Sequence, residues 1–123
     1  MSAEFQTLFE RIRPMFAAHA AAAVPKADKP DAYYLDTHEV RAKDGYRTFF
    51  GGVEIKKNFV SAHLFPAYTD PGLLDGISES LRKRMQGKSC FNFKKVEEPL
   101  LAELQQLIDT GAERYKAQGR LGG

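Results

Sequence analysis

A strand pattern over residues 48–55 and a second over residues 59–65 constrain the fold of this chain more than any other feature. Both alternate between apolar and polar side chains with the period of two that a half-buried strand requires. A short turn signal, Lys56-Lys57-Asn58, separates them. Strands joined by a short turn must pair antiparallel, so the chain is predicted to contain a β-hairpin. Gly51 and Gly52, inside the first strand, predict a β-bulge or the close approach of another backbone.

Amphipathic helices are predicted at both ends of the chain. Ser2 is the expected cap of the first helix, which Pro14 should kink, and the alanine run over residues 17–23 extends its pattern. The last helix should begin near Glu97 and end at Gly119, before a frayed tail over residues 120–123. Gly111, near its apolar stripe, predicts close packing against another backbone. Their buried stripes at helical spacing are Phe5, Leu8, Phe9, Ile12 and Phe16, and Leu100, Leu101, Leu104, Leu107, Ile108 and Tyr115.

The remaining segments are short. Residues 33–37 read as a strand, and an exposed loop is expected around Pro25 and Pro30. Residues 38–45 are polar and contain a turn signal at Asp44-Gly45, and whether Val40 lies in a further edge strand stays open. One helical turn should follow Asp70, a short helix should run from Ser78 through Met85, and residues 89–95 read as a strand. The order is helix, three or four strands, short helices, strand, helix. It predicts one α+β domain over residues 1–123, with an antiparallel sheet in one layer and the two terminal helices in the other.

Composition limits the cellular compartment and the partners that we expect for the protein. With one cysteine the chain cannot form an internal disulfide, which favours a reducing compartment. We see neither an apolar run of about 20 residues nor a signal-peptide pattern, and we expect a cytoplasmic protein, a monomer or a homodimer, without a membrane partner. The net charge of +2 is too small to argue for nucleic acid. Residues 82–95 nevertheless carry six cations and no acid.

That basic segment also holds the single cysteine, Cys90, the first candidate for chemistry. Nearby cations lower the pKa of a thiol and raise its reactivity, and a nucleophile needs a base, for which His63 is the candidate. The two side chains could face each other if strands 59–65 and 89–95 are neighbours. The alternative is structural: a free cysteine usually packs, and a lone histidine is usually a hydrogen-bonded sheet residue. We expect a binding role rather than catalysis.

Four of the six candidate ligand-binding residues lie in this segment. Lys88 and the backbone around Gly87 could cradle an anion. Phe91 and Phe93 alternate with polar residues. This pattern occurs in sheets that stack nucleic-acid bases on exposed rings, but a buried pair of phenylalanines also explains it, and we favour the buried pair. The predicted set is Tyr34, His63, Arg84, Lys88, Cys90 and Asn92. For metals, the compact acid and histidine cluster is Asp36, His38 and Glu39, which a polar loop explains as well.

Several of these segments together resemble a known family. Phe49-Phe50-Gly51-Gly52, the run over residues 73–78, and above all Lys83-Arg84-Met85-Gln86-Gly87-Lys88-Ser89-Cys90-Phe91-Asn92-Phe93 resemble the YdhG-like domains of unknown function, over about residues 5–117. The resemblance implies a small α+β domain with an antiparallel meander sheet and a helix at each end. Some members of the wider group are likened to frataxin and described as iron chaperones, so it also allows iron.

Three functions therefore stay open. The first is a small binding or carrier domain for a metal or a small anionic ligand, with its site near residues 85–92. The second is a cysteine-dependent enzyme that uses Cys90. The third is a protein- or nucleic-acid-interaction module.

Overall fold

The computed structural model describes residues 3–122, so the predicted cap at Ser2 lies outside the described residues. The helices are α1 (Ala3–Ala17), α2 (Phe65–Thr69), α3 (Glu79–Arg82) and α4 (Glu98–Ala117). The strands are β1 (Val24–Lys29), β2 (Ala32–Val40), β3 (Arg47–Ile55), β4 (Val60–Leu64), β5 (Met85–Gln86) and β6 (Cys90–Phe93). Short 3-10 turns follow α1 and α2, at Ala20–Ala22 and Pro71–Leu74.

The six strands form one antiparallel sheet in the order β1-β2-β3-β4-β6-β5. The first four strands are a meander. The chain then leaves the sheet through α2 and α3, returns at the far edge as β5, and turns back at Gly87, whose φ is +74°. β6 is thereby inserted between β5 and β4. Because α1 and α4 pack against this sheet, the prediction of a two-layer α+β domain is confirmed.

A single apolar core lies between the sheet and the two terminal helices. Leu35, Phe50, Ala62 and Phe91 belong to the sheet side and are fully buried. Apolar stripes of α1 and α4 cover them, and the predicted stripe residues are buried except Phe5, which is partly buried at the margin. Phe91 and Phe93 are both 0% exposed, as the buried-pair interpretation requires.

β3 contains a bulge at the place where α1 packs against the sheet. Leu35 pairs with Gly51 while the next residue of β2, Asp36, pairs with Phe49, so Phe50 is an extra residue on β3. A Cβ atom on Gly51 would lie 2.5 Å from the carbonyl oxygen of His63 and 2.8 Å from Cε1 of Phe16. Both parts of the glycine prediction, the bulge and the close approach of another backbone, are confirmed.

Three sheet boundaries differ from the predictions. Residues 24–29 form strand β1 instead of an exposed loop, and Pro25 is tolerated because an edge strand can lack a backbone N–H. Residues 38–40 continue β2 past the predicted end of the strand at residue 37. Met85 belongs to β5, because α3 already ends at Arg82. Ser78 caps α3 as predicted, its side chain accepting a hydrogen bond from the Leu81 N–H.

The helices at the chain ends also differ in detail. α1 contains Pro14 and ends at Ala17, so the alanine run does not extend it. Gly111 packs against the side chain of Pro66 rather than against a backbone: a Cβ there would lie 3.0 Å from Pro66 Cβ. The predicted frayed tail is wrong for residues 120–122, since Leu121 is 4% exposed. In residues 3–122, no helix combines the length and apolar character that crossing a membrane requires.

Candidate functional site

The sheet face that points away from the core, here called the outer face, bears the half-buried side chains of Tyr34, Asp36, Glu54, His63, Cys90 and Asn92. Five residues lie in register across it, one from each of β2, β3, β4, β6 and β5. They are Tyr34, Gly52, His63, Cys90 and Gln86. Neighbouring side chains in such a row are close enough to interact.

Gly52 determines how Tyr34 lies in this row. A Cβ atom on Gly52 would overlap Cδ1 of Tyr34 and the carbonyl oxygen of Tyr33. Without that atom, the Tyr34 ring lies against β3, and its hydroxyl donates a hydrogen bond to Oε1 of Glu54. Burial first, and this carboxylate second, raise the pKa of Tyr34, so the phenol stays protonated. The same hydrogen bond is the main reason that the pKa of Glu54 lies below its ordinary value.

His63 and Cys90 are direct neighbours on β4 and β6. Nδ1 of His63 lies 2.9 Å from Sγ of Cys90. Burial lowers the pKa of His63, and Lys56 lowers it further, while Glu54 opposes the shift. The imidazole is therefore neutral at pH 7 and can accept the thiol proton at Nδ1. Their strands are neighbours, which is the condition under which the two side chains could face each other; a catalytic role for these two residues stays a prediction.

Next to His63 the outer face forms a cleft with a cavity volume of about 390 Å³. It is lined by Lys26, Tyr34, Tyr46, Phe49, Lys56, His63 and Phe65. Ring centroids are 5.7 Å apart for Tyr34 and Phe49, and 6.3 Å apart for Phe49 and Phe65. Nζ of Lys26 lies 5.7 Å from the Phe49 ring centroid. The cleft thus combines an aromatic lining with two cationic side chains.

Not every predicted ligand-binding residue reaches this cleft. Tyr34 and His63 line it, and Cys90 contacts His63 without lining the cleft. Arg84 is instead held by Glu97 through two hydrogen bonds of 2.8 Å. The remaining two predicted residues have other contacts: Nζ of Lys88 lies 5.9 Å from the Tyr68 ring, and Nδ2 of Asn92 donates to Oε1 of Gln86 at 2.7 Å.

The predicted metal cluster is not assembled. Asp36 faces Lys26, with 3.9 Å between carboxylate oxygen and amine. Glu39 accepts a hydrogen bond from Oγ1 of Thr48 at 2.7 Å and pairs with Arg120 at 3.4 Å. Among residues 3–122, no three His, Cys, Asp or Glu side chains converge in a way that could hold a metal ion. Residues 3–122 therefore offer no such donor set for iron.

Sequence reasoning missed most of the cleft. Glu54, which holds the Tyr34 hydroxyl beside the cleft, had a usable signal, because alternation at the end of β3 places it on the face opposite Val53 and Ile55. Phe65 had one as well, because alternation in the predicted strand 59–65 places it on the face of His63, although in the structure it begins α2. Lys26 had none, since β1 was predicted as a loop.

Comparison with known proteins adds no family: no protein-family model, curated protein or solved structure matches this chain. The resemblance to YdhG-like domains accordingly stays a prediction.

Proposed function

We propose that this protein is a small binding domain that takes a small ligand into the cleft on its outer face. The observation that carries the proposal is the composition of that cleft, which is lined by the rings of Tyr34, Phe49 and Phe65 and by the amines of Lys26 and Lys56. Concave, mainly aromatic surfaces with a few polar groups are typical of ligand sites. The site is then centred on β2–β4 rather than on residues 85–92.

The cleft favours a planar ligand that carries an anionic group. Aromatic rings bind planar molecules by offset or edge contacts, and amines attract carboxylate or phosphate. Both amines already face a protein carboxylate, since Lys56 lies 3.3 Å from Glu54 and Lys26 lies 3.9 Å from Asp36. Both lysines are about half exposed. A bound anion can share Lys56 without leaving Glu54 unpaired, because Glu54 also accepts a hydrogen bond from the Tyr34 hydroxyl.

Thermal unfolding with a panel of aromatic carboxylates and aryl phosphates tests this function. A ligand at about 100 times its Kd stabilises a protein by about 2.7 kcal/mol, a rise of several degrees in Tm for a domain of this size. We expect Lys26→Ala/Lys56→Ala to lose that rise. The matched control is Lys29→Ala/Lys57→Ala, which removes two exposed lysines that do not line the cleft. If no compound raises the Tm of the unaltered protein, the proposal is wrong.

The contact between Cys90 and His63 favours a second candidate, a cysteine-dependent enzyme. The thiol proton would pass to Nδ1 of His63, and the resulting thiolate would attack an electrophilic carbon. The rate of alkylation by iodoacetamide against pH tests this role in the unaltered protein and in His63→Gln. We expect the rate near pH 7 to fall about tenfold in the variant. Equal rates, or the reactivity of a free cysteine in both proteins, exclude the enzyme.

The location and the family are inferred from sequence. A single, half-buried cysteine suits a reducing compartment, so we infer that the protein is cytoplasmic. The YdhG-like resemblance supports the small α+β domain and is compatible with a binding role. Iron is not part of the proposal, because no set of three donors supports it in residues 3–122.

A further inference from the structure

A second and larger cavity, of about 730 Å³, lies at the other end of the sheet, where β5 and β6 meet the loop that precedes α4. It shares no lining residue with the cleft around Tyr34. We call it the basic groove, because Lys83, Arg84, Lys94 and Lys95 line it with Glu97 as the single acid. It lies outside the function proposed above and is argued independently.

Most of the positive charge in the basic groove is unneutralised. Glu97 is bound to Arg84, and this pair accounts for the one acid. Lys83, Lys94 and Lys95 are exposed and form no ion pair with any residue from 3 to 122. Lys95 also acts electrostatically inside the groove. Arg84 lowers the pKa of Glu97 most, and the charge of Lys95 lowers it further. A concave surface with three unpaired cations concentrates anions.

One feature in the groove goes beyond anion binding. Phe59, half-buried in the wall, offers an aromatic ring just before the start of β4. Asn92 also lines the groove, and its Nδ2 donates to Gln86. The groove therefore offers cations and a stacking ring together.

We propose that the basic groove binds a nucleoside phosphate, either a free nucleotide or one unit of a single-stranded nucleic acid. Lys83, Lys94 and Lys95 bind the phosphates. The base stacks on Phe59, as bases do on aromatic side chains of single-strand-binding proteins. Inorganic phosphate satisfies only the first of these two interactions.

Fluorescence anisotropy on the full chain tests the proposal with two probes, labelled ATP and a labelled single-stranded oligonucleotide of about eight nucleotides. Titrations at about 50 and about 200 mM salt should show weaker binding at higher salt. Three lysines on a single strand predict a slope of log K against log salt of about −2. Binding of ATP assigns the groove to free nucleotides, and binding of the oligonucleotide alone assigns it to single strands. If neither probe binds at the lower salt, the proposal is overturned.

Matched variants locate the binding. Lys83→Ala/Lys94→Ala/Lys95→Ala should weaken it at least tenfold. The control Lys29→Ala/Lys43→Ala/Lys116→Ala removes the same charge from exposed positions outside the groove and should retain most of the affinity. Circular dichroism confirms that both variants are folded. Equal losses in the two variants would mean non-specific attraction and would contradict the groove.

Phe59→Ala separates a nucleoside site from a simple anion site. It should weaken the probes about tenfold, because base stacking is lost. It should leave competition by inorganic pyrophosphate unchanged, because the lysines remain. If Phe59→Ala binds both probes as well as the unaltered protein does, the groove recognises phosphate alone and the nucleoside assignment is wrong.

Discussion

Gly52 is the residue on which the cleft geometry depends. Its missing side chain leaves the space that the Tyr34 ring occupies, and any Cβ there would also overlap the Tyr33 carbonyl oxygen. Because a backbone atom is involved, the overlap cannot be relieved by a side-chain rotation alone. We expect Gly52→Ala to lower the free energy of unfolding by about 2 kcal/mol, as overpacking does. Urea denaturation measures the change.

Gly122→Ala is the matched control for that substitution. A Cβ there would lie 3.5 Å from Cα of Ala22, an ordinary contact. Its free energy of unfolding should stay within about 0.5 kcal/mol of the unaltered protein. If Gly52→Ala is equally neutral, Tyr34 can move at little cost, and the cleft is not fixed by this glycine.

The hydrogen bond from Tyr34 to Glu54 predicts a pH-dependent stability. It holds the pKa of Glu54 below the ordinary 4.5, so its contribution is present above pH 4.5 and is lost as the pH falls through the folded-state pKa. Tyr34→Phe should therefore cost about 1.5 kcal/mol at pH 7, with the cost shrinking below pH 4.5. Urea denaturation at a series of pH values measures it.

Tyr46→Phe is the control for this pH series, since Tyr46 lines the same cleft and is 51% exposed. Its effect should be small and independent of pH. A Tyr34→Phe cost that is the same at pH 3 and pH 7 would show that the hydrogen bond does not depend on the charge of Glu54.

At the scale of elements, the C-terminal segment closes the edge of the fold. Leu121 is 4% exposed in the core, the N–H of Gly122 donates to the Ala22 carbonyl at 2.8 Å, and the N–H of His38 donates to the Arg120 carbonyl at 2.8 Å. Leu121→Ala should cost about 2 kcal/mol in urea denaturation, from lost burial and a residual cavity. Lys116→Ala, an exposed change on α4, should be nearly neutral. A neutral Leu121→Ala would mean that the segment frays, as the sequence predicted.

The elements that sequence predicted well are those whose periodicity runs over many residues. The stripe of α4 and the alternation in β3 and β4 each repeat several times, and all three elements formed where expected. The tail gave no such signal. It docks through the buried Leu121, two backbone hydrogen bonds to distant segments and the ion pair of Arg120 with Glu39. β1 was missed because Pro25 and the charged residues around it are typical of a loop, yet pairing with β2 alone suffices for an edge strand.

The candidate site was partly predictable for the same reason. Alternation places His63 on the face of the hairpin that also bears Glu54, but the predicted turn at residues 56–58 is one residue too long. In the observed register the Lys56 N–H donates to the Phe59 carbonyl, and Gly52 lies opposite His63. The contact of His63 with Cys90 required β6 to lie beside β4, which no local pattern reveals. Arg84 does not line this cleft; it lines the basic groove, where Glu97, thirteen residues later in the chain, binds it.

At the scale of the whole molecule, average charge is a poor guide to surface function. The net charge of +2 is too small to argue for nucleic acid. The fold nevertheless gathers Lys83, Lys94 and Lys95 around one groove, while several other cations are paired with acids, as Arg11 is with Glu98. The cleft draws Tyr34, Phe49 and His63 from strands at the middle of the sheet, whereas the basic groove lies at the edge strand β5. The cleft therefore depends on a part of the fold that should open rarely.

Native-state hydrogen exchange measures that dependence. β3 and β4 are paired on both sides and covered by α1, whereas β1 and β5 are edge strands. Segments with deeper burial and more pairing open at higher free energy, so amides of β3 and β4 should exchange at least about tenfold more slowly than those of β1. His63 then lies on a strand that opens rarely, and Lys26 lies on β1, the strand of the cleft that opens first. If β1 is protected as well as β4, the sheet opens as one unit and Lys26 is as firmly placed as His63.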